Sequence, residues 1–247
     1  MDPSLKKLLR HYAAKYETAD FLTGDPSYFM HQAAGAENQE ATAFVASCLS
    51  FGGRKQFLPK IQYLVDRAGG DVDLWIRNGG FEKEFPETGN LCFYRFFNHA
   101  HMYRFFGAYR KLLDEYGTLG EYVKARSDRD GRKAVCAICN YFSEAGVDAV
   151  VPKNTQSACK RICMFLRWMV RAGSPVDLGI WGDFIDRATL VMPLDTHVMQ
   201  QSVRLGLVKS ANASMNAAIR LTAKLAEVFP GDPLKGDFAL FGYGVNR

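Results

Sequence analysis

The chain has 247 residues, of which 48% are hydrophobic and 23% are charged, and its formal net charge is +5 at pH 7. This composition is typical of an ordinary globular protein with a core large enough for one domain or two interleaved subdomains. No apolar run approaches the roughly 20 residues of a membrane span, and the first residues lack the apolar region and cleavage site of a signal peptide. We therefore expect a cytoplasmic protein without a membrane partner.

The positive charge is concentrated in two blocks that contain no Asp or Glu, residues 88–113 and 149–176. Such acid-free basic blocks favour a polyanion as partner. The alternative is that they form the solvated faces of amphipathic helices. The cations of the two blocks are Arg95, Arg104, Arg110, Lys111, Lys153, Lys160, Arg161, Arg167 and Arg171.

The six cysteines do not indicate a disulfide framework, because the chain shows no secretory signal. Cys136 and Cys139 form a CxxC pair, and Cys159 and Cys163 are spaced four apart. Four thiolates from two helices could in principle hold zinc. Both pairs fall in helical patterns, where cysteine is usually a small buried hydrophobe, so we predict no metal site.

Helical periodicity dominates the chain, and no segment alternates apolar and polar residues as a half-buried strand does. The fold class is therefore predicted to be all-α. The pattern predicts helices over residues 4–18, 38–49, 56–68, 134–143, 157–171 and 214–229, with shorter pieces at 74–85 and 178–185.

The turn at residues 52–55 favours contacts with a nucleic acid. Gly52 and Gly53 precede Arg54 and Lys55, which lie at the start of the helix predicted over residues 56–68 and can meet a phosphate there. The alternative is a simple turn between helices with exposed charges.

Residues 91–109 are the most aromatic part of the chain and contain two YRFF units, at 94–97 and 103–106. We interpret this segment as helical and mostly buried. Interleaved Arg and aromatic side chains also suit stacking on a base and gripping a backbone.

Residues 190–206 contain the candidate catalytic carboxylate. An apolar approach reaches Pro193, Asp195 then occupies the position of a helix N-cap, and an amphipathic helix follows that Gly206 closes. Free N–H groups and the dipole at a helix N-terminus favour a negative charge. From spacing alone Asp195 is a helix cap.

The PLDTHV sequence from Pro193 to Val198 resembles the VDTHV-type motif of helix-hairpin-helix DNA glycosylases, in which an Asp at a helix N-terminus is the catalytic carboxylate. Over most of its length the chain looks like an uncharacterised bacterial family, remotely related to those glycosylases and best compared with the archaeal 8-oxoguanine members. The motifs shared with true glycosylases cover only about residues 151–207. The segments that carry the wider likeness are residues 160–171, 176–181 and 232–244.

The resemblance implies a nucleophilic lysine, and Lys160 matches it best, 35 residues before Asp195. The chain departs from the family pattern at the hairpin, where VPKNTQ at residues 151–156 has no glycine and only Asn154 easily adopts a left-handed conformation. The four-Cys iron–sulfur loop of some relatives is also missing, so no cofactor is implied.

We therefore expect two helical subdomains of the helix-hairpin-helix glycosylase type with the site in a cleft between them. One would comprise residues 1–38 and 186–247, and the other residues 39–185, ending in the degenerate hairpin and the Lys160 helix. The expected activity is that of a base-excision glycosylase and abasic-site lyase on double-stranded DNA with a damaged base, 8-oxoguanine being one candidate lesion. The alternatives are a non-catalytic DNA-binding protein of the same fold and an unrelated helical module that binds RNA or protein.

The expected site has three groups of residues, and we expect the protein to act as a monomer. Lys160 is the amine nucleophile and Asp195 the carboxylate that faces the positive charge developing on the sugar. The candidates for the base pocket are Phe51, Tyr94, Arg95, Trp168 and His197. The candidates for contacts with the DNA backbone are Arg54, Lys55, Lys153, Asn154, Arg161 and Arg167.

Overall fold

The structure, a computed structural model, describes residues 1–153, 157–209 and 212–246. Asn154, predicted to contact DNA, lies outside the described residues. The prediction of a helical protein is confirmed, since the described residues form α-helices, two short 3-10 helices and one two-stranded antiparallel sheet. No helix in the described part of the chain is both long and apolar enough to cross a membrane.

The helices differ from the predicted ones mainly at their ends. The predictions over residues 4–18, 38–49, 56–68, 134–143, 157–171 and 214–229 correspond to α1, α3, α4, α9, α10 and α12. The bounds are α1 Pro3–Tyr16, α2 Ser27–Gln32, α3 Ala36–Leu49, α4 Arg54–Arg67, α5 Val72–Arg77, α6 Phe81–Glu84, β1 Cys92–Tyr94, β2 Phe97–Asn98, α7 His99–Tyr116, α8 Leu119–Ser127, α9 Gly131–Glu144, α10 Lys160–Val170, α11 Thr196–Arg204, α12 Met215–Ala226 and α13 Lys235–Val245, and the 3-10 helices are Ala19–Leu22 and Arg187–Thr189.

The chain divides into two compact units whose boundaries differ from the predicted ones. The first unit comprises Met1–Leu22, Arg129–Val135 and Thr155–Arg247, and the second comprises Thr23–Asp128 and Cys136–Asn154. The Lys160 helix α10, expected in the central subdomain, thus belongs with the terminal segments. The reason is a set of buried ion pairs that join α10 to residues from both ends of the sequence.

In the first unit, α13 packs along α1 and also against α11. Phe21 reinforces this packing, because its ring contacts the rings of Phe238 and Phe241 at a centroid distance of 5.0 Å in each case. Helix α10 is the central element, since every residue from Ile162 to Val170 is buried. A helix with no exposed face is a core helix, whatever its charged residues suggest.

In the second unit, α3 is the central helix and is buried from Asn38 to Leu49 apart from Gln39. Phe44 on this helix contacts the rings of Phe105, Tyr109 and Phe142 at 5.8, 5.1 and 5.2 Å between centroids. The predicted burial of residues 38–49 is therefore confirmed.

The structure corrects two predictions of local structure. Residues 91–109 do not form one helix, because Tyr94 pairs with Phe97 in a β-hairpin and α7 begins only at His99. Asn98 causes the break: its side chain accepts a hydrogen bond from the His101 N–H at 2.8 Å, which caps the new helix. The short helix expected at 178–185 is also absent, and this segment forms turns.

Candidate active site

Asp195 is the N-cap of α11, as the sequence predicts. Its backbone is extended, with φ −108° and ψ −179°, and its Oδ1 accepts a hydrogen bond from the Val198 N–H at 2.8 Å. The approach from Val191 to Leu194 is buried and Asp195 itself is half-buried. This packing fixes the position of the carboxylate and leaves part of it accessible.

Lys160 is the first residue of α10 and is half-buried. The residue before it, Cys159, has a positive φ of 43°, so the chain enters the helix through a left-handed turn. An isolated antiparallel bridge between Ser157 and Ser214 holds the preceding segment. Lys160 and Asp195 thus lie at the N-termini of two helices of the same unit.

Asp237 connects these two residues electrostatically. It lies in the first turn of α13, and the Arg167 guanidinium donates a hydrogen bond to its Oδ2. Burial raises the pKa of the Asp237 carboxyl, and the negative charge of Asp195 raises it further, whereas the charges of Arg167 and Lys160 lower it. Lys160 and Asp195 therefore both lie within electrostatic range of the Asp237 carboxylate, whose side chain is 16% exposed.

Asp237 belongs to a network of two arginines and four carboxylates. Asp177 bridges the arginines, accepting from Arg167 Nε at 3.1 Å and from Arg171 Nη1. Asp232 receives two hydrogen bonds from Arg171, at 2.7 and 3.0 Å. Glu17, just after α1, accepts a fourth from the same guanidinium at 2.7 Å.

The network has more carboxylates than guanidinium groups, which affects how its members titrate. Burial raises the pKa of the Asp177 carboxyl against the opposing charges of Arg167 and Arg171. Both guanidinium groups also lie over the ring of Phe238, at 4.7 and 5.5 Å from its centroid. Lys160 thus lies within electrostatic range of this network through Asp237.

Arg167 and Trp168 do not occupy the positions expected from the sequence. Arg167, predicted to contact DNA, is 3% exposed and its guanidinium is bound by Asp177 and Asp237. Trp168, predicted to line the base pocket, is completely buried. Both corrections have one cause: α10 is a core helix, so its basic and aromatic side chains face protein.

Other predicted site residues of the first unit do lie at the surface. His197 is exposed in the first turn of α11. Its imidazole occupies the space beside Gly244, where a Cβ would come within 2.3 Å of His197 Nε2. Arg161 follows Lys160 on α10 and is half-buried.

In the second unit, the predicted residues Phe51, Tyr94 and Arg95 form one cluster. The Tyr94 hydroxyl donates to the Phe51 carbonyl oxygen, the two rings lie 4.9 Å apart, and the Arg95 guanidinium is 5.9 Å from the centroid of the Phe51 ring. Arg54 and Lys55 are exposed at the start of α4. Lys153 is exposed and pairs with Asp148 at 3.6 Å.

Sequence reasoning missed Asp237 and the rest of the acidic network. The segment over residues 232–244 was identified only by its likeness to the uncharacterised family, and none of its carboxylates was assigned a role. The one local signal is that Asp237 lies in the first turn of a helix, where a carboxylate is favoured. Its partners are 70 residues away in the case of Arg167, a separation that no short motif reveals.

The cysteine pairs show no sign of a metal centre in the described residues, where no three His, Cys, Asp or Glu side chains converge as ligands. Cys159 and Cys163 are buried, and burial raises the pKa of the Cys163 thiol. A buried protonated thiol behaves as a small hydrophobic group.

The fold and the site together define a mostly helical protein with a lysine and a capping aspartate at two helix N-termini of one unit. Residues 25–246 match the family described as "Protein of unknown function (DUF2400)", and the chain therefore belongs to this family. The expectation of a family of unknown function is confirmed. Neither a curated protein nor a solved structure matches the chain, so the kinship with glycosylases stays a prediction.

The cap at Asp195 leads to a prediction that separates the effect of its capping hydrogen bond from the effect of its negative charge. Asp195→Asn keeps an oxygen that accepts the Val198 N–H, so we expect its free energy of unfolding to stay close to that of the unchanged protein. Asp195→Ala loses the cap and should lower that free energy by about 1 kcal/mol. Denaturant titration of the three proteins measures both differences, and equal losses in the two variants would contradict the assigned cap.

Removing an arginine from the buried network should lower the free energy of unfolding by more than the loss of the Asp195 cap does. Arg171→Met keeps the packing of the side chain but leaves Asp177 and Asp232 short of a partner, and should lower the free energy of unfolding by about 3–5 kcal/mol. The control is Arg67→Met, since Arg67 is 55% exposed in its pair with Glu84 and should cost about 0–1 kcal/mol. A small loss in both variants, measured by chemical denaturation, would show that the network contributes little.

Proposed function

We propose that this protein is a DNA glycosylase with abasic-site lyase activity, which acts on double-stranded DNA carrying a damaged base. Lys160 is the proposed nucleophile and Asp195 the proposed catalytic carboxylate. The observation that supports this most directly is that Lys160 and Asp195, although far apart in sequence, lie at the N-termini of two helices of the same unit, where Asp195 caps α11. The resemblance of PLDTHV at residues 193–198 to the glycosylase motif supplies the identity of the reaction.

The geometry of Asp195 suits a charge-stabilising role. One carboxylate oxygen, Oδ1, is held by the Val198 N–H, and Oδ2 accepts no hydrogen bond from the described residues. When the N-glycosidic bond breaks, positive charge develops on the sugar, and a fixed carboxylate lowers the energy of that state. The helix cap fixes the direction of the charge before the substrate arrives.

Lys160 must be neutral when it attacks, and Asp237 is the proposed base that accepts its proton. Burial makes Asp237 more basic than an ordinary aspartate, because it raises the pKa of the carboxyl. The amine lone pair then forms a bond to the anomeric carbon while the C–N bond to the base breaks, and its electron pair leaves with the base, which takes up a proton.

The lyase step follows from the bond that Lys160 forms. After the bound nitrogen loses a proton, its lone pair forms the C=N bond while the bond between the anomeric carbon and the ring oxygen breaks. The ring oxygen takes up a proton, and the protonated Schiff base that remains acidifies the neighbouring carbon. Removal of a proton from that carbon expels the 3′-phosphate and cuts the strand. No redox partner or metal is needed for this sequence.

Borohydride trapping tests the proposed nucleophile. The protein is incubated with duplexes that carry 8-oxoguanine, uracil, an alkylated base or an abasic site, and the Schiff base is reduced to a stable adduct. We expect an adduct with at least one duplex, no adduct with Lys160→Ala or Lys160→Arg, and a retained adduct with Arg161→Ala. Lys160→Arg keeps the positive charge but provides no nucleophile, so it separates nucleophilic attack from electrostatic binding of DNA.

The second candidate function is a non-catalytic DNA-binding protein. It is favoured by the exposed cations Arg54 and Lys55 at the start of α4, which can contact phosphates without any bond cleavage. If none of the four lesions gives product or adduct while the protein still binds DNA in a salt-dependent way, the enzyme proposal fails and this second candidate is supported.

The proposed base is tested by the pH dependence of adduct formation. Asp237→Asn should slow trapping at neutral pH by about 10²–10⁴-fold, and the loss should shrink as pH rises, because Lys160 then loses its proton to solvent. The control is Asp232→Asn, which disturbs the same network through Arg171. A pH-independent loss that is equal in both variants would indicate only a structural role for Asp237.

A further inference from the structure

The tip of the hairpin β1–β2 in the second unit exposes a large aromatic side chain. Phe96 is 62% exposed, whereas its neighbours in sequence on the two strands, Tyr94 and Phe97, are 4% and 0% exposed. Tyr94 pairs with Phe97, so Arg95 and Phe96 are the two residues of the turn. The hairpin thus presents one cation and one ring at its end.

The residues of this turn are not those that stabilise a two-residue hairpin turn best. Arg95 has a φ of 54°, in the region where glycine or asparagine is the usual residue of a two-residue turn. A side chain other than glycine costs about 1–2 kcal/mol in this conformation. Arg95 and Phe96 therefore serve the hairpin poorly as turn residues and need another explanation.

Phe96 is held in a fixed position by Phe51. The two ring centroids are 4.9 Å apart with an interplanar angle of 33°. Phe51 is in turn held by Tyr94 and Phe97, each at a centroid distance of 4.9 Å. The exposed ring is therefore fixed by the aromatic rings beneath it. A planar group can stack on it with little loss of side-chain conformational entropy.

One cation, Arg95, lies over the Phe51 ring of this cluster, and two more follow Gly52 in the sequence. Gly52, with a φ of 81°, brings the start of α4 against the hairpin tip, since a Cβ at Gly52 would lie 2.9 Å from both Arg95 Nη1 and Tyr94 Oη. This approach places Arg54 and Lys55, both exposed, in the turn that follows. Arg54 is partly compensated by Asp25, at 3.4 Å.

The sequence around the hairpin adds no negative charge, because residues 88–113 contain no Asp or Glu. A flat aromatic face beside several cations matches a nucleobase and the phosphates that flank it. The base must be unpaired, since a base within a duplex already stacks on both sides.

We propose that Phe96, supported by Phe51 and flanked by Arg95, Arg54 and Lys55, is a stacking site for an unpaired base of single-stranded DNA. This inference goes beyond the proposed function, because it assigns a second nucleic-acid site to the second unit and requires no bond cleavage. It stands whether or not Lys160 forms an adduct.

Binding of a fluorescein-labelled oligothymidylate, measured by anisotropy at low salt, tests the proposal. We expect Phe96→Ala and Phe96→Leu each to weaken binding about tenfold or more, because Leu keeps the apolar surface but has no π face. The matched control is Leu91→Ala, since Leu91 precedes β1 and is 67% exposed, and its affinity should be unchanged. A blunt duplex of the same length should not distinguish these variants.

Arg95→Gly tests the cation while it preserves the turn, because glycine adopts a positive φ without strain. We expect it to weaken binding and to reduce the slope of log affinity against log salt by about 0.7. Unfolding midpoints that do not fall below that of the unchanged protein show that the variants fold, and the midpoint of Arg95→Gly should rise because glycine relieves the cost of the positive φ. Wild-type affinity of Phe96→Leu would overturn the stacking site, and so would equal losses in Phe96→Ala, Phe96→Leu and Leu91→Ala, because they would indicate non-specific apolar contact with the oligonucleotide.

Discussion

Two guanidinium groups buried among four carboxylates impose the main constraint on the first unit. A buried charge is tolerated only when it is closely paired, so Arg167 and Arg171 require Asp177, Asp232, Asp237 and Glu17 to arrive together. These residues come from segments near both ends of the chain and from the segment after α10. The discontinuous composition of the unit follows from this requirement, since none of the segments can satisfy the arginines alone.

The same network couples the core to the candidate chemistry. Asp237 is bound to Arg167 on one side and feels the charges of Lys160 and Asp195 on the other. The proposed chemistry uses one member of this network, since Asp237 is the proposed base for the proton of Lys160.

The features that sequence alone predicted are the local ones. The cap at Asp195 and the limits of α11 are determined by neighbouring residues, as is the burial of α3, so a short window contains the information. The hairpin at residues 92–98 was missed because its apolar residues also fit a helix, and the deciding residue, Asn98, acts through a single side-chain hydrogen bond. The sequence assigned Phe51, Tyr94 and Arg95 to one base pocket, but it did not predict that these residues contact one another.

The non-local features could not be predicted in this way. Arg167 was read as part of a basic surface because its charge is visible in the sequence, whereas its partners lie 10 and 70 residues away. The local sequence indicates only that Asp237 lies in the first turn of a helix, and not which residues it contacts. When a core is stabilised by ion pairs, the number of charged residues in a segment predicts that the segment is exposed, although the fold buries it.

The position of the network in the chain also constrains the order in which the protein can fold during synthesis. Glu17 and Arg171 are separated by 154 residues, and Arg171 and Asp232 by a further 61. The segments of the second unit all precede residue 155, so they leave the ribosome before α10 is complete. In that interval α1 has no α13 to pack against, and its apolar side remains uncovered until α13 is made. A helix that is synthesised before the second unit is thus buried only after that unit is complete.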